Sequence, residues 1–172
     1  MSLSKPILTI LLLSLIIYVI YSLWLFPMLI GNAKLIHMVD PDTLVVQENG
    51  ELKTVQLIGV DAPEKTGRAK TPQCYDDEAL RQSAAIFAKT RQLSLATDGK
   101  AGEKDQYGRL LRYVYLADGT LYNQLLIKKG LAKESNPNNA DYKFKNAFSK
   151  EQADAAAKAN GIWDPQGCDG RF

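Results

Sequence analysis

The sequence is poor in the side chains that hold transition metals. Its 172 residues include one histidine, His37, and two cysteines, Cys74 and Cys168. Structural zinc sites take four nitrogen or sulfur ligands, often from Cys-x-x-Cys pairs, so such a site is disfavoured. Two cysteines allow either one disulfide, the usual state in an exported domain, or two free thiols. A disulfide here would close a loop of about 94 residues and stabilise the fold by about 4–5 kcal/mol in the chain-entropy model.

The chain also lacks a large excess of charge of either sign. Its 21 Lys and Arg residues against 19 Asp and Glu residues leave a formal net charge of +2. A histone-like nucleic-acid binder is therefore excluded, and any affinity for nucleic acid has to come from a local patch or a bound metal. Internal repeats and low-complexity tracts are absent too. With 46% hydrophobic residues, the chain predicts one domain with a substantial core.

One long apolar run stands at the N-terminus. Residues 7–30 carry no charged side chain, and about 24 residues make a helix of about 36 Å, long enough to span a bilayer. This length favours an uncleaved anchor over a secretory signal peptide cleaved near residues 31–33, and a buried helix of a soluble protein is the third alternative. Lys5 precedes the run, which favours an N-terminus inside the cell. We therefore expect residues 1–31 to be a transmembrane anchor or signal peptide, with residues 32–172 anchored outside the cytoplasm, or secreted if residues 1–33 are cleaved.

The remainder of the chain alternates short strand patterns with amphipathic segments. Asn49-Gly50 separates two apolar strand patterns and is a strong hairpin signal. Five short strands with inserted and appended helices predict an α+β fold, a small five-stranded barrel of the OB type with three α-helices. The predicted strands cover 33–39, 43–48, 55–60, 92–97 and 110–116, and the predicted helices cover 76–90, 122–129 and 141–160.

Acidic side chains cluster where two of the predicted strands end. Asp42 and Asp61 are placed to give carboxylate oxygens to one cation, and Ala62 can add its main-chain carbonyl. Asp40 suits a supporting carboxylate that contacts a ligand rather than the ion. Oxygen ligands of this kind suit Ca²⁺, which takes six to eight of them in flexible geometry.

Two further residues supply what a phosphodiester hydrolase needs. Glu64 follows Asp61 by three residues, past the rigid Pro63, and is placed to take a proton from water. Arg109 ends the motif Asp-Gln-Tyr-Gly-Arg and can neutralise charge that develops on the phosphate. Taken singly, each of these residues is more often an ordinary turn or loop residue.

In order and spacing, these motifs resemble the staphylococcal nuclease (thermonuclease) family. The resemblance implies a five-stranded OB barrel with three helices and a Ca²⁺-dependent phosphodiesterase acting on DNA and RNA. It implies metal-ligand roles for Asp42, Asp61 and Ala62, a general-base role for Glu64 and a catalytic role for Arg109. It also implies that Tyr107 contacts substrate and that Cys74 and Cys168 form the disulfide seen in exported relatives. The matching stretches are 39–43, 54–64, 105–115, 130–133 and 160–163.

The chain departs from the family pattern at positions that touch substrate. Gln56 stands where the family has a second catalytic arginine, and Gln106 replaces a lysine. Asn136 and Asn138 stand where tyrosines are expected. Loss of one charged donor typically costs about 10²–10³ in rate, which predicts a slow nuclease. Arg68, Lys70 and Arg112 are candidates to replace the missing charge.

Three functions remain open from the sequence. The first is an external Ca²⁺-dependent nuclease of reduced activity, with single-stranded DNA and RNA as partners. The second is an OB module that binds single-stranded nucleic acid without cutting it. The third is a protein-interaction domain held at the membrane through residues 7–30. No obligate protein partner is expected.

Overall fold

The computed structural model describes residues 13–18, 32–65, 73–88, 91–136 and 141–172. Most of the apolar segment predicted as an anchor or signal therefore lies outside the described residues, and residues 13–18 within it are helical and exposed. In the parts of the chain just given, no helix is both long enough and apolar enough to cross a membrane.

Five strands close into a barrel, which confirms the predicted fold class. Around the barrel the order is β1–β2–β3–β6–β5, and β5 closes on β1. Strands β3 and β6 pair in parallel and the other neighbours are antiparallel. A separate two-stranded sheet joins β4 to β7. The strands are β1 (Ala33–Asp40), β2 (Thr43–Glu48), β3 (Glu51–Leu57), β4 (Val60–Asp61), β5 (Gln92–Ala96), β6 (Leu110–Leu116) and β7 (Lys133–Glu134).

Three α-helices pack around this barrel, as predicted. They are α1 (Asp76–Ile86), α2 (Tyr122–Lys128) and α3 (Lys145–Ala157), and a 3₁₀ turn at Gly161–Trp163 follows them. Asp76 and Asp77 lie in the first turn of α1, where their negative charge interacts favourably with the positive end of the helix dipole. The predicted end of α1 at residue 90 is wrong, because the helix stops at Ile86.

Local sequence explains the barrel geometry at the β2–β3 hairpin. Asn49 and Gly50 both have positive φ, 52° and 83°, as a tight two-residue hairpin requires. The apolar faces of the strands then point inward, and their residues are fully buried. This barrel core includes Leu44, Val46, Val55, Leu93 and Val114.

Two predicted boundaries are corrected by contacts near Tyr142. The predicted strand running to Val60 ends instead at Leu57, and a turn at Ile58 and Gly59 precedes β4, with a φ of 74° at Gly59. A Cβ at this glycine would lie 2.7 Å from the Tyr142 ring, so a side chain there would clash. The last helix begins at Lys145 rather than Asp141, because Asp141 accepts a hydrogen bond from the Tyr142 N–H and pairs with Lys100. These two residues therefore stay in a loop beside the β3–β4 turn.

The C-terminal segment is tied to the rest of the fold at two points. A Cβ on Gly130 would lie 2.1 Å from the Asn160 carbonyl oxygen, so the chain after α2 packs directly on the chain after α3. Cys74, just before α1, is joined to Cys168 by a disulfide, with a Cα–Cα distance of 5.8 Å. The segment after Trp163 is therefore covalently attached to the loop that enters α1.

Candidate active site

The turn between β1 and β2 places a buried carboxylate at one end of the barrel. Asp42 is 6% exposed. Its Oδ2 accepts a hydrogen bond of 3.2 Å from the Ala62 N–H, and its Oδ1 lies 3.1 Å from the Thr43 hydroxyl, whose one proton it shares with Gln56 Oε1. Ala62 directly follows Asp61 at the end of β4, so these contacts bring the two predicted metal-binding segments together.

The electrostatics of Asp42 indicate a place for a cation. Its pKa is raised to about 6, chiefly by burial and to a smaller extent by the charge of Asp61, against hydrogen bonds from Ala62, Gln56 and Thr43 that lower it. Among the described residues, no ion pair joins a cationic side chain to the Asp42 carboxylate, and Arg109 reaches the Thr43 hydroxyl beside it at 3.4 Å. Two neighbouring carboxylates, one of them buried, are stabilised most directly by a positive ion between them.

The chemistry of these donors fits a hard divalent cation. Within the described residues, no cluster of three or more His, Cys, Asp or Glu side chains forms a metal site. The site predicted here needs only two carboxylates, from Asp42 and Asp61, with the Ala62 carbonyl as a third oxygen. Ca²⁺ completes such a partial set with water and phosphate oxygens, whereas zinc prefers nitrogen and sulfur.

Arg109 reaches the same cleft from the turn before β6. Asp105 holds it: Arg109 Nε donates to Asp105 Oδ2 at 2.6 Å, and the backbone N–H groups of Arg109 and Tyr107 donate to Asp105 Oδ1. Burial tends to raise the pKa of Asp105, but these hydrogen bonds and the Arg109 charge lower it overall. Arg109 Nη1 also donates weakly to the Thr43 hydroxyl at 3.4 Å. The guanidinium is therefore held in place before any substrate binds.

Gln56 lies between these groups. It pairs with Thr43 across β2 and β3, and its Oε1 lies 3.0 Å from the Thr43 hydroxyl, where it accepts the proton that it shares with Asp42 Oδ1. With Oε1 accepting, the side-chain amide nitrogen is the end that hydrogen-bonds the Asp42 carboxylate. The side chain at the missing arginine position is thus engaged by its own neighbours.

A cleft of about 410 Å³ runs over these residues. Glu64 is half-buried and lines it, and Tyr107 is 60% exposed, with its ring centroid 5.4 Å from the Arg109 guanidinium carbon. The structure therefore brings six of the predicted site residues to one cleft. They are Asp42, Gln56, Asp61, Glu64, Tyr107 and Arg109.

Asp40 lies to one side of this cleft. It is 9% exposed, and burial followed by the charge of Glu64 raises its pKa. Its carboxylate accepts a hydrogen bond from the Lys65 backbone N–H, which opposes that rise together with Arg109. The structure thus places Asp40 against the Glu64–Lys65 segment.

Of the three candidates for the missing positive charge, Arg112 alone lies within the described residues. Arg68 and Lys70 lie outside the described residues. Leu111 lines the cleft, and its neighbour Arg112 instead pairs with Glu103 at 3.0 Å, so Arg112 is engaged elsewhere. Among the described residues that line the cleft, the cations are Arg109 and Lys104.

Sequence reasoning missed Lys104, although it lies two residues before the expected lysine position. It also missed Tyr142, which lines the cleft from the loop before α3 and donates to Glu134 at 2.7 Å. Asn136 lines the cleft at one of the two expected tyrosine positions, and Asn138 lies outside the described residues. Only the tertiary fold reveals which loop residues face this cleft.

Comparison with known proteins agrees with this geometry. The family model described as Staphylococcal nuclease homologue matches residues 54–165. The chain belongs to the staphylococcal nuclease family. The family resemblance predicted from the motifs is therefore confirmed, and the matched range includes Asp61, Glu64 and Arg109.

Three relatives illustrate the spread of the staphylococcal nuclease family. The chain is 33% identical over 129 residues to the SPbeta prophage-derived endonuclease YokF of Bacillus subtilis, covering 75% of this chain and 43% of that protein. It is 32% identical over 136 residues to endonuclease YncB of the same organism, covering 79% and 63%. It is 35% identical over 133 residues to the thermonuclease of Staphylococcus hyicus, covering 76% and 74%. The chain thus spans less than two thirds of the length of the two Bacillus relatives.

Proposed function

We propose that this protein is a Ca²⁺-dependent nuclease that hydrolyses phosphodiester bonds in single-stranded DNA and RNA. The observation that carries the proposal is the convergence of Asp42, Asp61, Glu64 and Arg109 on one cleft. The names of three relatives, two endonucleases and a thermonuclease, support the reaction class.

Calcium is the proposed cofactor. The carboxylates of Asp42 and Asp61 and the carbonyl of Ala62 would hold it, because these are oxygen donors around a buried carboxylate that forms no ion pair with a described side chain. When bound, the ion supplies positive charge to a phosphate oxygen and to the developing transition state.

Glu64 is the proposed general base. In the reaction, the oxygen of an attacking water forms a bond to phosphorus while one proton of that water passes to the Glu64 carboxylate. The bond between phosphorus and the leaving oxygen then breaks, and the leaving oxygen takes a proton from solvent. Glu64 suits this role because it is half-buried and lines the same cleft as the metal carboxylates.

Arg109 is proposed to stabilise charge on the phosphate oxygens. Its Nε is held by Asp105 at 2.6 Å, so little reorganisation is needed when the guanidinium meets substrate. Gln56 contributes at most one neutral hydrogen bond to substrate, because its side-chain amide is already hydrogen-bonded to Thr43 and Asp42. We therefore propose turnover below that of a nuclease with arginine at position 56.

The DNA or RNA strand is proposed to lie along the cleft, between Tyr107 and Lys104. Tyr107 is exposed enough to stack on a base or pack against a sugar, and Lys104 offers a positive charge to a neighbouring phosphate. Single strands are favoured because their unpaired bases can reach such a platform.

A non-catalytic module that binds single strands is the second candidate. The observation that favours it is the engagement of Gln56 by Thr43 and Asp42, which leaves Arg109 as the one arginine among the described cleft residues. Such a module would keep its affinity for DNA when Ca²⁺ is removed.

We propose that the domain acts outside the cytoplasm, anchored through residues 7–30 or released if residues 1–33 are cleaved. The apolar run without charge supports export. The joined pair Cys74 and Cys168 supports an oxidising compartment, where disulfides persist.

The test uses the full chain in mild detergent with labelled single-stranded DNA and RNA, in Ca²⁺ and in EDTA. The nuclease proposal predicts cleavage in Ca²⁺ that EDTA abolishes, and a higher Ca²⁺ requirement in Asp61→Asn. Binding that survives EDTA, without cleavage in Ca²⁺, would favour the non-catalytic module instead.

A further inference from the structure

The main chain of Glu64 is held on both sides by one residue, Gln73. The Glu64 N–H donates to Gln73 Oε1 at 2.7 Å. In return, the Gln73 N–H donates to the Glu64 carbonyl at 3.1 Å. The side chain and the backbone of Gln73 thus satisfy the N–H and the carbonyl of Glu64, the residue proposed as the base.

The next residue is fixed from other directions. The Lys65 N–H donates to the buried Asp40 carboxylate, and Lys65 Nζ pairs with Asp77 on α1 at 2.6 Å. Consecutive residues of this segment, Glu64 and Lys65, are therefore fixed by contacts with other parts of the fold, and the contacts made by Glu64 itself are those with Gln73.

Gln73 is itself anchored through its neighbour. Cys74 is joined to Cys168, which lies in the tail formed by residues 166–172. This tail lies beyond residues 54–165, the range that the family model matches. A feature outside the matched range is therefore one residue removed from a contact with Glu64.

The tail has a fixed position of its own. The Gly170 N–H donates to the Ile162 carbonyl at 2.7 Å, and a Cβ on Gly170 would lie 2.5 Å from the Trp163 ring. At the end of the tail, the Phe172 ring centroid lies 3.9 Å from Lys133 Nζ, and Lys133 pairs with Asp61 across β7 and β4. The tail is thus bonded to Cys74, the neighbour of Gln73. It also contacts β7, the strand that pairs with Asp61, a proposed metal ligand.

We propose that Gln73 is a positioning residue for Glu64 and that the Cys74–Cys168 disulfide holds Gln73 in place through the C-terminal tail. The inference rests on the proposed role of Glu64 as the base. Proton transfer requires the carboxylate to meet the attacking water at hydrogen-bond distance, so a small displacement of residue 64 slows turnover more than it weakens substrate binding.

The test compares Gln73→Ala with Gln73→Glu in the full chain. The alanine variant removes the acceptor for the Glu64 N–H, whereas the glutamate variant keeps an oxygen of the same reach. The control is Gln124→Ala, which removes a side-chain hydrogen bond of 2.9 Å to Glu151 between α2 and α3, with neither residue lining the cleft. All variants are assayed well below their melting temperatures.

We expect Gln73→Ala to lower kcat by at least about tenfold with KM nearly unchanged, and Gln73→Glu to restore most of the loss. Gln124→Ala should leave both constants close to those of the parent. Hydrogen exchange at the Glu64 amide, read by NMR, should speed up in Gln73→Ala alone. Unchanged kcat, or a loss no larger than that of the control, would overturn the inference.

The disulfide is tested by the double substitution of Cys74 and Cys168 by serine. We expect kcat to fall and the additional effect of Gln73→Ala to shrink, because both changes release the same contact. Full additivity would contradict a shared action. If the parent does not cleave DNA but its Glu64 amide is protected from exchange, the proposed function is refuted while the hydrogen bonds between Gln73 and Glu64 are supported. The failure of the proposed function is therefore distinguishable from the failure of this inference.

Discussion

Gln56→Arg is the substitution whose effect follows most directly from the geometry. Gln56 lies in β3 opposite Thr43, and it lines the cleft together with Arg109. Its Oε1 is taken by the Thr43 hydroxyl, and its amide nitrogen hydrogen-bonds Asp42. At most one N–H therefore remains for a phosphate oxygen, and it carries no charge.

An arginine at this position changes both the number of donors and the charge. Its planar guanidinium brings five N–H donors, and charge-assisted hydrogen bonds are about twice as strong as neutral ones. We expect a gain of about 1.4–2.8 kcal/mol in transition-state stabilisation, which corresponds to about ten- to a hundredfold in kcat. Part of the gain is offset if the guanidinium pairs with Asp42 rather than with substrate.

The assay is single-turnover cleavage of labelled single-stranded DNA at saturating Ca²⁺. Gln56→Lys and Gln56→Met serve as controls, since the first adds charge without the planar fork and the second removes the hydrogen bonds at similar length. The expected order of rates is Arg, then Lys, then the parent, then Met. An arginine variant that folds, binds Ca²⁺ and is no faster than the parent would refute the reasoning. Lys104→Gln would then show whether Lys104 already supplies the charge.

Two further predictions concern stability. The pKa of Asp42 is raised to about 6, chiefly by burial, so ionisation of this carboxyl destabilises the fold increasingly from the unfolded pKa of about 4 up to about pH 6 and by a constant amount above it. Asp42→Asn should therefore raise the free energy of unfolding by about 1–3 kcal/mol at pH 8 in EDTA while weakening Ca²⁺ binding, as checked by denaturant titration and calorimetry. Asp98 is buried; desolvation raises its pKa, but hydrogen bonds from the Lys143 N–H, the Tyr113 hydroxyl and the Lys100 N–H lower it below its ordinary value. Its stabilisation is therefore complete above the unfolded pKa of about 4 and is lost as pH falls through the folded pKa, so Asp98→Asn should cost about 1–3 kcal/mol at pH 7 and progressively less in acid. A constant difference between the melting curves of the two proteins from pH 7 to pH 3 would contradict this account of Asp98.

Strands and turns were the part of the fold most open to prediction from sequence. Asn49-Gly50 has few alternatives to a hairpin, and the strand Leu110–Leu116 was predicted at both ends because a glycine-containing turn precedes it and Asp118-Gly119 follows it. Helix ends were predicted less well. The late start of α3 depends on contacts of Asp141 with Lys100, 41 positions away, and of Tyr142 with Glu134, which precedes the predicted helix.

The candidate site divides in the same way. Asp42, Asp61, Glu64 and Arg109 lie in short motifs whose spacing already indicates their chemistry, and the fold brings them to one cleft. The roles of neighbouring residues depend on tertiary contacts that no local pattern encodes. Gln73 is an example, because its hydrogen bonds to Glu64 span nine positions of the chain.

The central claim is that the cleft hydrolyses phosphodiesters with Glu64 as the base. The most direct measurement compares the parent with Glu64→Gln for Ca²⁺-dependent cleavage of single-stranded DNA, using DNA binding and thermal unfolding as controls. The account predicts that the isosteric glutamine lowers kcat by at least about 10² while binding and the melting temperature stay close to those of the parent. Equal cleavage by the two proteins, or no cleavage by the parent in Ca²⁺, would contradict it.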